Sequence, residues 1–515
     1  IFIVLLSLVY IPLAFAASTV IADDVFERNL KERNYLLQKE LKLMLGSDIV
    51  LSDNEEKANK LFMKLKNNEL EYGFNYPQHF NFSKHFFEYK DVVKKSELFK
   101  LIQKMPKGAV LHAHDTGILG PDYVLSITYW DDLYVCFEEE NILFLFSRNV
   151  PTSSCETVWQ VMKEARYASG NVEKFDAKLR ERFTLVVEDP NEIYTDINLV
   201  WSKFQKYFIT TTSLFTYKPV WEQYFYDTLK ALRADNIMYL ELRSVLPVLY
   251  DLDGNEYDTL DTAFSYKQVL DKFKNDYPDF YGAKLIYAPL RYVSVKTIEE
   301  YLKIAKKLQK KLPDFIAGFD LVGQEDLGVP IKEFLHVLSK SNKDINYFFH
   351  AGETNWYGTS SDENIVDAIV LGTRRIGHAF ALAKHPVLIK EVKKRDIGVE
   401  VNVVSNAVLK LVDDIRNHPL AIFLANNLPV VISSDDPGMW EAEPLSHDFY
   451  VTFVGIASRH ADLKLLKKLA LNSLYYSTYP DKDKIIYEFE KRWTKFIDSI
   501  VQNCVSTDRQ KRQTF

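Results

Sequence analysis

A (β/α)8 barrel is the fold class this chain predicts, and three observations predict it. Short apolar, strand-like runs alternate with helical stretches to make eight β units, the pattern of successive strand–helix units around a parallel sheet. Four of the runs end in histidine or aspartate: Lys107-Gly-Ala-Val-Leu-His-Ala-His-Asp115, Phe348-Phe-His-Ala-Gly-Glu353, Arg375-Ile-Gly-His-Ala-Phe380 and Val431-Ile-Ser-Ser-Asp-Asp-Pro437. Strand ends are where parallel-barrel enzymes keep their chemistry. No Gly-x-Gly-x-x-Gly follows a strand, which weighs against a doubly wound open sheet.

The chain is long enough for such a barrel with additions. Its 515 residues allow two to four domains or one large elaborated one. Hydrophobic residues make up 47% and charged residues 26%, an ordinary globular balance with ample core. A formal net charge of −7 argues against a nucleic-acid partner, which favours a basic surface.

In chain order, Ile1 to Phe15 is almost wholly apolar, and Ala14-Phe15-Ala16 fits the small-x-small pattern before a signal-peptidase cut. The run is short for a bilayer span. A buried core strand is the alternative, but Asp23-Asp24 soon after favours export, so residues 1–16 read as part of a signal peptide. Residues 17–100 read as a helical arm. Phe26, Leu30, Leu37, Leu41 and Met44 recur at helical spacing, and a Lys/Glu-rich helical stretch follows from Asn54 to Leu70. Neither belongs to a strand–helix unit, so the arm packs on the main body or on another copy. Asn81-Phe82-Ser83 is an N-glycosylation acceptor if the chain is secreted. Ser96 caps a helix through Met105, and Pro106 ends it before the first strand.

Residues 127–180 break the pattern and read as an insertion in a barrel of 101–126 and 181–505. This stretch carries Cys136 and Cys155, which could close a short loop; a disulfide over about 15 residues is worth roughly 3 kcal/mol in the chain-entropy model. Cys504 is left over, free or intermolecular. The remaining strand-like runs are Ile237–Leu242, Ala283–Tyr287, Ile316–Leu321, Asn346–His350, Arg375–His378, Gly398–Asn402 and Pro429–Ser433. Helical patterns lie between them at 298–312, 331–339, 363–371 and 386–394. The tail 506–515 is polar and reads as loose.

Two imidazoles on alternate residues of a strand, His112 and His114, point the same way and can hold one metal ion. Alone, the pair could equally be two half-exposed histidines. His350 and His378 each have a core reading, and Asp435-Asp436-Pro437-Gly438 could be a turn with an Asx cap. Strands one and eight are neighbours in a barrel, so together these residues converge on one mouth. Three histidines and one carboxylate suit Zn2+, with water completing the shell. Glu353, three residues past His350, can face such a metal without binding it and move a proton.

Several of these stretches, namely Met105 to Asp115, Gly318-Phe-Asp-Leu-Val-Gly-Gln-Glu325, His350-Ala-Gly-Glu353, Ile376-Gly-His378 and Ser433-Ser-Asp-Asp-Pro437, resemble the adenosine deaminase family. With the arm, the signal-like start and the cysteine-bearing insertion, the likeness narrows to its extracellular branch, the adenosine deaminase-related growth factors. It runs from about Asp24 to Ser506. The resemblance implies a metal-dependent hydrolase barrel with one Zn2+ on His112, His114, His350 and Asp435. Glu353 would protonate N1 of adenine, His378 with Asp436 would orient and deprotonate the attacking water, and Asp436 would also contact substrate. The Gly323 backbone N–H would meet N3, while Asp115 and Trp201 would touch the nucleoside. It further implies deamination of adenosine and 2′-deoxyadenosine, secretion, a homodimer formed by the arm, and an insertion that binds a cell-surface receptor or glycan.

The chain departs from the family at named positions. Ala379 follows His378 where Gly is usual, Asn402-Val403 replaces a common Cys-Pro pair, and Gln205 and Leu290 stand where some relatives carry a ribose-contacting Glu and His. Two rivals remain. Related barrels hydrolyse amides or phosphoesters, but no strand-end Lys demands a bridging role. A signalling protein built on a relic barrel would be expected to have lost ligands, and none is lost.

Overall fold

The apolar runs pair as eight parallel strands: β1 Gly108–His114, β2 Ile237–Ser244, β3 Gly282–Tyr287, β4 Ile316–Phe319, β5 His350–Ala351, β6 Arg375–His378, β7 Gly398–Val401 and β8 Val430–Ile432. Ladders join β1 to β4 and β5 to β8, each in sequence order. Parallel bridges Phe319↔Tyr347 and Ala113↔Asp435 close the two halves into a barrel. The structure, a computed structural model, describes residues 16–513, with side chains over 24–503. The signal-like segment 1–15 and the side chain of Cys504 lie outside the described residues.

Strand five is shorter than the run that marked it. Asn346 to His350 reads as a strand, yet regular pairing covers only His350–Ala351. The preceding residues make single bonds to both neighbours, Phe348 N–H to Phe319 O at 3.0 Å and Arg374 N–H to Tyr347 O at 2.9 Å. They span the seam between the half-barrels, where the ladder is irregular. The helical pattern at 331–339 likewise splits into a 3₁₀ turn, Ile331–Phe334, and a single α turn, Leu335–Leu338.

The arm divides in two. Helix Asp53–Asn75 opens with a capping box of Ser52 and Glu55, which satisfies two otherwise free backbone N–H groups. It buries Ala58 and Phe62 fully, and Glu55 accepts from Trp493 Nε1 at 2.7 Å, so this helix is part of the body. Helix Ala16–Leu43 instead leaves Phe26, Tyr35 and Leu36 more than half exposed. At the other end, helix Lys482–Gln513 carries its backbone through the stretch expected to be a loose tail. Arg, Gln and Lys are good helix formers, and extending an existing helix needs no new nucleus. Among the described residues no helix is long and apolar enough to cross a membrane.

The stretch after β1 folds into a small sheet-and-helix layer whose apolar residues join the main core. Leu133–Phe137, Ile142–Phe146 and Gln160–Val161 make a small antiparallel sheet, followed by helices Met162–Ala168 and Val172–Arg180. A Cys136–Cys155 disulfide ties it.

Charge, not only hydrocarbon, fills the barrel interior. Glu241 and Arg243 on β2 alternate inward with Arg375 on β6 and Glu400 on β7, all at most 1% exposed. Arg375 binds Glu400 through Nε and Glu241 through Nη2, the latter at 2.6 Å. Removing one partner of a buried ion network strands the others in low dielectric, at roughly 3–5 kcal/mol. Arg375→Met, close in volume, is therefore expected to lower urea-unfolding stability by about that amount. A loss below about 1 kcal/mol would show that the network is not tightly coupled.

Candidate functional site

Three of the eight strands aim histidines at one point, and β8 brings two aspartates to it. His112 and His114 lie on β1, His350 on β5, His378 ends β6, and Asp435-Asp436 follow β8. All are buried except His114, whose side chain is 17% exposed. The Ala113↔Asp435 bridge, with Asp435 N–H to His112 O at 3.1 Å and His114 N–H to Asp435 O at 3.2 Å, brings the aspartates against the His pair.

Two of the imidazoles are oriented from behind. Nδ1 of His112 lies 2.8 Å from Glu400 Oε2, and Nδ1 of His350 lies 2.6 Å from Asp320 Oδ2. A carboxylate only accepts, so each Nδ1 carries the proton and each Nε2 keeps its lone pair for the centre. Nε2 of His112 and of His114 stand 3.3 and 3.0 Å from the same oxygen, Asp435 Oδ1. Neither His112 Nε2 nor Asp435 Oδ1 has a hydrogen-bond partner.

Such unpartnered buried donor atoms facing one another fit a cation. Ligand atoms of His112, His350, His378 and Asp435 lie within 4.8 Å of one another, as do those of His114, Asp435 and Asp436. Asp435 belongs to both groups. His378 is also held by an amide, with Asn406 Nδ2 3.1 Å from its Nδ1.

The electrostatics separate the carboxyls. Burial opposes charge on Asp435, but His112 and His114 outweigh it and hold its pKa well below the usual range. Burial, then the charges of Asp435 and Glu325, push Glu353 well above that range. Its side chain sits 3.4 Å from His378 Nδ1, and its backbone N–H is fixed by Glu325 at 2.8 Å. Burial and Asp435 likewise raise Asp436. His378 is kept neutral, chiefly by burial. Two carboxyls pushed up and one pushed down, around a cation-binding cluster, suit proton transfer beside an activated water.

The backbone here is strained. His378, Ala379 and Asp435 have φ of +61°, +48° and +61°. Left-handed backbone costs an L-residue about 1–2 kcal/mol and tends to persist where function over-determines it. Small residues make room: a Cβ on Gly117 would meet Asp436 Oδ1 at 1.9 Å, and one on Gly377 would meet His112 Cε1 at 2.9 Å.

A cavity of about 690 Å³ opens from the cluster, lined among others by Asp115, Trp201, Gln205, Leu290 and Gly323. Asp115 accepts from Tyr266 Oη at 3.0 Å, and burial raises its pKa. Gly323 has φ +105°, and a Cβ there would strike the Tyr292 ring at 2.6 Å. The structure thus brings together His112, His114, His350, His378, Asp435, Asp436, Glu353, Asp115, Trp201 and Gly323. Asn81, in a 3₁₀ turn of the arm, and the Cys136–Cys155 pair lie elsewhere.

Sequence reasoning missed the layer behind the site. Asp320, Glu325, Glu400, Arg243 and Ser405, whose Oγ donates to Asp435 Oδ2 at 2.8 Å, were not singled out for a role. Glu241, Arg243 and Glu400 did carry a signal: charges inside apolar strand runs, where only a paired charge is tolerated.

Comparison with known proteins agrees with the geometry. A family model described as "Adenosine deaminase" matches residues 172–490, and one described as "Adenosine/AMP deaminase N-terminal" matches residues 5–102. An "Adenosine deaminase" of Aedes albopictus is 44% identical over 92% of this chain and 88% of its own. The Homo sapiens "Adenosine deaminase 2" is 41% identical over 96% of each chain. Among solved structures, the arabidopsis N6-mAMP deaminase shares the fold, with a TM-score of 0.54 at 18% identity, covering 76% of this chain and 99% of that one.

Two outcomes follow from the site's construction. Glu400→Gln removes the charge behind His112 and is expected to weaken metal binding about 10–100-fold, measured by competition with a chelator; unchanged affinity would count against this orienting role. Ala379→Gly relieves left-handed strain and is expected to raise stability by up to about 1 kcal/mol in thermal unfolding.

Proposed function

The chain belongs to the adenosine deaminase family, and from that premise we propose a secreted, zinc-dependent enzyme that converts adenosine and 2′-deoxyadenosine to the inosine forms plus ammonia. The observation that carries this is Glu353, a buried carboxyl 3.4 Å from His378 Nδ1 and beside a converging His/Asp cluster, with its pKa pushed up by burial.

His112, His114, His350 and Asp435 would hold the metal; three imidazoles and a carboxylate suit zinc. Zinc bound there supplies Lewis acidity that brings the pKa of water towards neutrality. Glu353 gives its proton to N1 of the base, making C6 electrophilic. His378 and Asp436 flank the attacking water, orient it and take its proton. The C6–N bond then breaks, a C6 carbonyl forms, and ammonia leaves. The Gly323 N–H meets N3, at a position where a Cβ would strike the Tyr292 ring. Asp115 and Trp201, which line the cavity, contact the nucleoside.

Other features support the wider reading. A disulfide in the insertion fits an oxidising compartment, in which Asn81 could carry a glycan. The exposed Val25, Leu36 and Leu43 fall on one side of helix Ala16–Leu43 and offer an apolar face to a second copy, giving a homodimer. A second reading, growth-factor action through a receptor or glycan bound by the insertion without catalysis, draws on its exposed Tyr129, Val150, Val158 and Tyr167.

Glu353→Gln separates the two. It keeps size and spares the metal ligands, so fold and zinc content should persist while turnover falls about 10²–10⁴-fold in an adenosine-to-inosine absorbance assay. Any effect on cells should fall with it. Full cellular activity from a folded, zinc-loaded variant would favour the insertion. His112→Ala should lose metal and activity together.

A further inference from the structure

The cavity extends beyond what a nucleoside base and its contacts use. C6 must sit at the buried cluster, and N9 lies across the purine from C6, so the sugar is carried outward past Asp115 towards the mouth. There the lining is largely apolar: Phe208, Ile209, Val245, Pro247 and Leu290 line the cavity beside the neutral polar Gln205, Thr212, Ser213 and Ser244. Ile209, Val245 and Leu290 are 55%, 44% and 50% exposed, so the mouth presents aliphatic surface to solvent. The lobe is backed by the insertion, since Phe144 N–H bonds Ser213 Oγ at 3.2 Å and Ser213 lines the cavity.

Two polar facts define what fits. Trp221 lines the same cavity, is 4% exposed, and its indole Nε1 has no hydrogen-bond partner. It stacks edge-on against Tyr266, the partner of Asp115, which places it beside the sugar end. The lining holds one Arg and no Lys, and that Arg243 is taken up by Asp320, Glu400, Leu111 O and Phe348 O. Nothing there can neutralise a phosphate, and four carboxyls line the same cavity.

We propose that this lobe is a subsite for an apolar group joined to C5′ through a weak acceptor atom, so that 5′-deoxy-5′-alkylthioadenosines are substrates alongside adenosine. The inference rests on the deaminase reading above. C5′ is the freely rotating arm of the sugar and the one able to reach the lobe. The thioether sulfur is a weak acceptor for Trp221 Nε1–H, and its alkyl group covers exposed aliphatic surface. The chemistry is the same: water supplies the C6 oxygen, ammonia leaves, and the C5′–S bond is untouched.

The test compares kcat/KM of the zinc-loaded protein for adenosine, 5′-deoxy-5′-methylthioadenosine and AMP. The thioether is expected within about tenfold of adenosine and AMP at least about a hundredfold below it. Val245→Asp, at an exposed position, should shift the thioether-to-adenosine ratio at least about tenfold against the thioether. Turnover of adenosine with rejection of the thioether, or a ratio unmoved by Val245→Asp, overturns the subsite alone. No turnover of either nucleoside overturns the deaminase reading and the subsite with it.

Discussion

One buried guanidinium holds the site in shape. Arg243 donates to Asp320 at 2.7 Å and to Glu400 at 2.8 Å, and these two carboxylates are the ones that orient His350 and His112. Its remaining donors reach Leu111 O and Phe348 O, on the β1 and β5 sides of the barrel. Arginine suits this position because its planar fork keeps several bonds at fixed angles and stays charged when buried. The price in desolvation is offset only because every arm is matched. Burial opposes charge on Asp320 and Glu400, yet the arginines and histidines hold both pKa values well below the ordinary range. The imidazoles therefore face fixed negative charge on one side and present lone pairs on the other.

Around that hub the fold tolerates strain where the chemistry converges. Left-handed backbone at His378, Ala379 and Asp435 turns side chains inward immediately beyond the strand ends. Ala379 takes this conformation without glycine's freedom, being fully buried and bonded from its N–H to Gly377 O at 2.8 Å. Glycines appear where atoms crowd. Gly117 leaves space for the Asp436 carboxylate and Gly377 for the His112 ring. The residue types are thus set by clearance as much as by chemistry.

Much of this was legible in the linear chain. Period-two runs and the helical stretches between them reflect short-range sterics and burial, so the eight strands fell within a few residues of their observed bounds. Strand five was the exception, because its pairing is decided at the barrel seam rather than by its own apolar run. The tail also departed, since polar residues that would be loose alone extend a helix already anchored by Phe489 and Trp493.

By itself the sequence determined the fold class and the residues of the candidate centre, because strand alternation puts His112 and His114 on one face and chain order makes the first and eighth strands neighbours. Tertiary structure alone decided the rest. Glu400 is 288 residues from His112 and Arg243 is 157 from Glu400, so no local pattern marks them as partners. The upward shift of the Glu353 pKa comes from burial by distant elements and from the charge of Asp435, far along the chain. The apolar lobe beside Trp221 is assembled from segments that meet only when the barrel closes. Local sterics are written residue by residue, whereas dielectric and charge proximity exist only after the chain has packed.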